Sequence, residues 1–158
     1  MVFTPERMAR AWRIVKEKHA STAFDGEGAR LFGGRWNPRG IPMVYTSGTV
    51  SLAALETLVH LVPPVEFRFS VISVELEDQW VETLPEAALP AEWTVEPPPP
   101  ATQNIGGLWA LQARSAVLAV PSAIIPGELN YLLNPLHPDF KKIKIGKPTP
   151  FSFDSRLI

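Results

Sequence analysis

Glu66–Leu76 carries the clearest strand pattern, with Phe67, Phe69 and Val71 on one parity and Ile72, Val74 and Leu76 on the other. A run apolar on both parities predicts a strand covered on both faces, lying centrally in a sheet. Ala116–Val120 and Ser122–Ile125 have similar character and predict strand, with Pro121 as a bend or edge. Trp12–Lys16 predicts a first strand behind a turn capped by Thr4-Pro5. Pro5 also suits the first position of a helix, so a helix through the same region stays open. Val44–Thr46, Lys141–Ile145 and Phe151–Phe153 predict three further short strands.

Helical spacing is weaker. Ser47 or Thr49 offers an N-cap for a helix running to about Leu61 and stopped by Pro63-Pro64. Leu52, Leu55 and Val59 stand at i, i+3 and i+7 and would form its buried stripe. Ala101–Gln112 predicts a second helix despite Gly106-Gly107. Residues 24–43, with five glycines and two prolines, are too irregular for helix or strand and predict a long loop. The order is strand-rich α+β without regular βαβ alternation, which disfavours a doubly wound parallel sheet.

Composition narrows the chemistry. A chain of 158 residues, 46% hydrophobic with net charge −1, can bury a core and is not disordered. It has no cysteine, which removes disulfides, thiolate metal sites and cysteine nucleophiles. His19, His60 and His137 show no ligand spacing, so no metal centre is expected. The balance of 15 Lys+Arg against 16 Asp+Glu argues against broad phosphate-backbone binding. No stretch approaches the ~18 apolar residues of a membrane span. The N-terminus lacks the apolar core of a secretory signal, so a soluble cytoplasmic protein is expected.

Proline is the anomaly, with 17 residues where ~5% of the chain is usual. Six fall within Pro85–Pro100, ending in the run Pro97–Pro100. This composition predicts a stiff surface connector inside a single 1–158 domain, rather than a linker between two domains.

Candidate chemistry concentrates in Gly26–Gly40, where Arg30, Arg35 and Arg39 stand among closely spaced glycines. Backbone N–H groups there could approach an anion, and Arg35 after Gly33-Gly34 could hold a phosphate or carboxylate by its fork. No Gly-Lys-Ser/Thr follows, so the segment is not a Walker loop, and it does not open a helix as a dinucleotide fingerprint must. From pattern alone, an ordinary glycine-rich surface loop with solvated arginines is the better-supported reading. Glu56 sits on or beside the apolar stripe of the first predicted helix. The commoner arrangement pairs such a carboxylate with His60 at i+4; the functional one places it in a cleft. Ser122, Asn130 and Asn134 interrupt apolar runs, and such groups usually satisfy backbone. Trp36 and Tyr45 suit the core first and a stacking wall second.

Taken together, these segments resemble the RES domain family, named for its Arg, Glu and Ser. The matching stretches are Trp12-Arg13-Ile14-Val15, Gly28-Ala29, Gly33-Gly34-Arg35-Trp36-Asn37 and Val44-Tyr45-Thr46-Ser47. Leu52-Ala53-Ala54-Leu55-Glu56, Val120-Pro121-Ser122, Asn130-Tyr131-Leu132-Leu133-Asn134-Pro135 and Phe153-Asp154-Ser155-Arg156-Leu157 follow. The resemblance implies an ADP-ribosyltransferase-like α+β fold of mainly antiparallel sheets with flanking helices. It implies a bacterial toxin that consumes NAD as substrate, with no cofactor required, by hydrolysis, phosphorolysis or ADP-ribose transfer to a protein. Its partner would be an Xre-like helix-turn-helix antitoxin covering the cleft, and a homodimer is compatible with this reading.

The same resemblance assigns residue roles. Arg35 would hold an NAD phosphate or the adjoining ribose, Tyr45 the nicotinamide ribose, and Glu56 a ribose hydroxyl and the positive charge at the anomeric carbon. Ser122 would hydrogen-bond ligand or Arg35 rather than act as a nucleophile. Arg13 would contact phosphate or shape the pocket; Trp36 and Asn134, with Asn130, carry weaker assignments. The rivals are a catalytically dead NAD-site module and a nucleic-acid-cleaving toxin. The neutral charge and the lack of a catalytic histidine cluster count against the latter.

Overall fold

The computed structural model describes residues 8–62, 65 and 68–158. Its strands are β1 (Met8–Lys16), β2 (Val44–Ser47), β3 (Phe69–Glu77), β4 (Val81–Thr83), β5 (Val117–Pro121), β6 (Leu129–Leu133), β7 (Lys144–Ile145) and β8 (Thr149–Phe151). They form one sheet in the order β4-β5-β6-β2-β1-β3-β7, with β8 also paired to β3. Every ladder is antiparallel except β4 on β5. The α-helices are α1 (Glu27–Phe32), α2 (Val50–Leu58) and α3 (Pro100–Leu111).

The sheet is two ladders joined at a narrow seam. β1 and β3 pair along their whole lengths, from Met8 opposite Glu77 to Lys16 opposite Phe69. β2 and β6 pair from Val44 opposite Leu133 to Ser47 opposite Asn130. Between the halves, β1 and β2 share one register pair, Trp12 opposite Ser47.

Strand alternation sends side chains to two cores. Ala11, Val44, Val74, Leu76, Val117 and Leu133 bury on one face, closed over by Phe24, Trp80 and Phe140. On the other face α2 puts Ala53 against Ile14 and Phe69, and α3 puts Trp109 against Leu118, Val120 and Leu132. Both helices therefore lie on the same side, one over each half of the sheet.

Several expectations need correction. Residues 24–43 do contain a helix: α1 is one and a half turns between Gly26 and Gly33, with the Asp25 carboxylate accepting from Glu27 N at 2.9 Å. So short a helix leaves no apolar periodicity to detect. β1 starts four residues before Trp12, and the helical alternative for it is not adopted. Thr4-Pro5, Pro63-Pro64, Glu66 and Phe67 lie outside the described residues.

Thr49 is the cap of α2, its hydroxyl accepting from Leu52 N at 3.0 Å. The helix ends at Leu58, and Val59 is 58% exposed, so the buried stripe is carried by Leu52 and Ala53 instead. Ser122–Ile125 is not strand, because the Ser122 hydroxyl accepts from the Ile124 and Ile125 amides and bends the chain out of the sheet. Lys141–Ile145 is not one strand: Lys141 and Lys142 end a 3₁₀ turn (Pro138–Lys142), and Lys144–Ile145 form the two-residue β7. The last strand stops at Phe151, and Phe153 packs edge-on to Phe69 and Phe151. Helix α3 forms as expected, one residue earlier at each end. Among the described residues, no helix is long and apolar enough to cross a membrane.

Candidate active site

The glycine-rich segment is a closed, internally bonded loop rather than an open nest of amides. Gly33 N donates to Ala29 O, Gly34 N to Asn37 O, and Gly40 N to Arg30 O. The side chain of buried Asn37 organises the rest. Its amide donates to the Ala29, Pro38 and Ile41 carbonyls, and its Oδ1 accepts from the Tyr45 hydroxyl at 2.6 Å. Trp36 N in turn donates to that hydroxyl at 3.1 Å. Burial pushes the Tyr45 hydroxyl well above its ordinary ionisation range, so it stays a neutral donor. Gly34 permits this approach, since a Cβ there would lie 2.5 Å from the Tyr45 oxygen.

Arg35 leaves this loop toward the proline-rich segment. One guanidinium nitrogen donates to the Trp93 and Val95 carbonyls, both at 2.9 Å, and another to Glu96 at 2.7 Å. The Arg35 side chain is 16% exposed, whereas Glu96 is 68% exposed. Trp93 packs on Trp36 with ring centroids 6.4 Å apart. The 85–100 stretch is thus tied to the candidate loop by a cation and an aromatic pair, which its sequence does not announce.

Glu56 is the hub of a second constellation. Its Oε1 accepts from the Ser122 hydroxyl at 2.9 Å and from the Asn130 amide at 2.8 Å. Asn130 Oδ1 accepts from the Ser47 hydroxyl at 2.7 Å. Among the described residues, Glu56 Oε2 has no hydrogen-bond donor and neither oxygen has a cationic partner. His60 is not bonded to Glu56, so the i+4 pairing is not formed. Ser122 donates its only proton to Glu56 while accepting two backbone amides, which leaves it no nucleophilic lone pair.

The remaining sequence candidates are dispersed. Arg13 is buried at the seam, with Nε donating to Ala23 O at 2.8 Å and Nη1 to Tyr45 O at 3.1 Å. Burial lowers its affinity for the proton, and nearby Asp25 opposes that effect. Trp36 is core, packed with Met43 and Trp109. Asn134 braces the far end of β6: its amide donates to Ala110 O at 3.0 Å and its Oδ1 accepts from Leu136 N at 3.1 Å. Four residues of extended chain, about 13 Å, separate it from Asn130. The structure therefore gathers Glu56, Ser122, Asn130 and Ser47 into one cluster, and Arg35, Tyr45 and Trp36 around the loop. Asn37 and Ser47 escape sequence reading, since Asn37 looks like turn material before Pro38 and Ser47 like an alternative helix cap.

Comparison with known proteins gives a consistent picture. A family model described as RES domain matches residues 10–154. A protein named Toxin Res from Photorhabdus laumondii subsp. laumondii is 39% identical over 149 residues, covering 93% of this chain and 96% of that one. A protein named Prs ADP-ribosylating toxin from Sphingobium sp. is 38% identical over 153 residues, covering 93% and 95%. Among solved structures, one from the Mycobacterium tuberculosis MbcT–MbcA toxin–antitoxin complex superposes with a TM-score of 0.74. It is 18% identical and is covered over 86% of its length by 93% of this chain.

Proposed function

Because the chain belongs to the RES domain family, we propose that it is the toxin of a toxin–antitoxin pair and acts by cleaving the nicotinamide–ribose bond of NAD. The names of its relatives support the toxin role, and ADP-ribosylation by the Sphingobium relative supports NAD as the substrate class. The observation that carries the chemistry is Glu56: a carboxylate fixed by two neutral donors on one oxygen, with the other oxygen unengaged and no cation beside it among the described residues.

That is the electrostatic arrangement a glycosidic cleavage of NAD calls for. The C1′–N bond breaks with its electron pair going to the pyridinium, so nicotinamide departs neutral and needs no general acid. Positive charge develops on C1′ and the ring oxygen of the ribose. An uncompensated carboxylate stabilises that charge more in the transition state than in the ground state. Glu56 Oε2 would also accept a ribose hydroxyl. Water or inorganic phosphate then bonds to C1′, and the proton it sheds passes to solvent.

Arg35 supplies the fixed positive charge near the loop, and Glu96, which is largely exposed, is the partner a substrate phosphate oxygen would replace. Tyr45 acts through the loop it pins, while Arg13, Trp36 and Asn134 hold the walls. Ser122 positions Glu56. The partner in this reading is an Xre-like antitoxin, and the solved relative supports a protein partner because it was determined with its antitoxin. A second reading, transfer of ADP-ribose to a protein, is favoured by the Sphingobium relative's name.

The test is nicotinamide release from NAD by the purified chain, with and without phosphate and with no protein acceptor. Turnover that falls about 100-fold or more in Glu56→Gln is expected. Release only when an acceptor protein is added would favour transfer. No release under any condition, or full activity in Glu56→Gln, would overturn the proposal.

A further inference from the structure

We propose that Asn130, held by Ser47, is a positioning residue that sets the orientation of Glu56; this deepens, and rests on, the cleavage reading above. An ionised carboxylate only accepts hydrogen bonds, so the Asn130 amide must turn its NH₂ toward Glu56. The 2.8 Å contact to Oε1 shows that arrangement. Asn130 Oδ1 is then turned toward Ser47, which donates to it at 2.7 Å.

The backbone makes this juxtaposition stiff. Ser47 and Asn130 are register partners in the β2–β6 ladder, and Asn130 is also opposite Val120 on β5. The amide therefore hangs from a strand paired on both sides. Ser122, one residue beyond β5, delivers the second donor to the same Glu56 oxygen. Glu56 approaches from α2, whose cap Thr49 follows Ser47 by two residues. The ends of β5 and β6 thus meet α2 at a single oxygen, with β2 bracing Asn130 from behind, and the carboxylate rotamer that satisfies both donors leaves Oε2 for the substrate.

The relay has a directional logic. Each hydrogen bond polarises the next, so the Ser47 hydroxyl strengthens the Asn130 donor without touching Glu56. Removing Asn130 frees Glu56 to rotate about its last bond, which lowers the fraction of molecules with Oε2 in place. That loss falls on turnover more than on binding, because Glu56 gives affinity one ribose hydrogen bond and gives the transition state its charge stabilisation. Replacing Asn130 with Asp instead sets two carboxylates at hydrogen-bond distance, and such a pair retains a proton to higher pH. The other titratable groups on and beside these elements are Tyr45 in β2, Tyr131 in β6, Glu128 just before β6, which accepts from Thr49 at 3.2 Å, and exposed His60 two residues past the end of α2. Arg10, Arg13 and Lys16 stand on β1, against which α2 packs. All are common to every variant, so a difference between variants reports Asn130.

The experiment measures kcat and KM for nicotinamide release in Asn130→Ala, Asn130→Asp and Ser47→Ala. Alongside it, the Asn130 side-chain amide is followed in ¹⁵N–¹H spectra, assigned by its loss in Asn130→Asp. In Asn130→Ala, kcat is expected to fall about tenfold or more with KM within about twofold. In Asn130→Asp the acid limb of kcat moves up by one pH unit or more. In wild type the amide proton resonates downfield and moves upfield in Glu56→Gln. Unchanged kcat and an unchanged acid limb in an active protein would overturn the proposal, as would an amide that ignores Glu56→Gln. If wild type releases no nicotinamide while the amide responds to Glu56→Gln, the cleavage reading falls and the positioning of Glu56 stands. Ser47→Ala removes one methyl-sized hydroxyl and keeps the test readable should the Asn130 variants not fold.

Discussion

Tyr45 illustrates how a residue with a proposed ligand role is committed to architecture. Its hydroxyl donates to Asn37 and accepts from Trp36 N, and burial raises its ionisation point above the ordinary 10.0. Tyr45→Phe leaves one acceptor and one amide without a partner and should cost about 1–3 kcal/mol at pH 7. The pH dependence follows from the same burial. Above about pH 10 the unfolded chain loses the Tyr45 proton while the folded chain keeps it, so wild-type stability falls as pH rises through that point. The phenylalanine variant lacks this term. Its deficit against wild type should therefore shrink above pH 10, and urea midpoints at pH 7 and pH 10.5 check it. A deficit that stays constant with pH would mean the hydroxyl ionises normally, and one that grows would mean that folding favours its ionised form. Tyr131, also raised, contributes equally to both proteins and does not alter the comparison.

At the scale of elements, α3 is held to the candidate loop by backbone contact. A Cβ on Gly106 would lie 1.8 Å from the Trp36 carbonyl oxygen, and Gln103 donates to Gly34 O at 3.1 Å. Helix propensity favours alanine over glycine by about 1 kcal/mol, yet the clash must dominate here. Gly106→Ala should destabilise by about 3 kcal/mol, because a backbone oxygen cannot move aside as a side chain can. Gly28, in α1, has nothing within 4 Å of its would-be Cβ, so Gly28→Ala should stabilise by about 0.5–1 kcal/mol. Thermal unfolding of the two variants separates packing from propensity: two shifts of the same sign would refute the assignment. The same contacts explain why the 85–100 stretch is more than a connector. Its carbonyls at Trp93 and Val95 complete the coordination of Arg35, so proline stiffness there places acceptors for a cation.

The whole molecule turns on the seam between its two half-sheets. With one register pair joining β1 to β2, the gap is spanned by the Arg13 guanidinium, which reaches the Tyr45 carbonyl on one side and Ala23 on the other. Arg13→Met keeps much of the apolar stem but removes both charged bonds. It should cost about 2–4 kcal/mol and raise amide exchange in β1 and β2 more than in β5. Uniform exchange across the sheet would show that the seam is not the weak point.

What the sequence determined by itself was local and chemical. Hydrophobic parity over 66–76 marked β3, the Thr49 cap marked α2, missing cysteines removed whole classes of chemistry, and the combined stretches around Arg13, Arg35, Tyr45, Glu56, Ser122 and Asn130 carried the family resemblance. These depend on neighbours in the chain, or on residue type alone. What only tertiary structure decided was which side chains meet. Ser122 and Asn130 stand 66 and 74 residues from Glu56, and Trp93 stands 58 from Arg35. No periodicity encodes such pairings; they follow from strand order, with β6 set between β2 and β5. The short helix α1 and strand β6 escaped for the complementary reason. Each is brief and partly polar, and each is stabilised by what packs or pairs against it rather than by its own pattern.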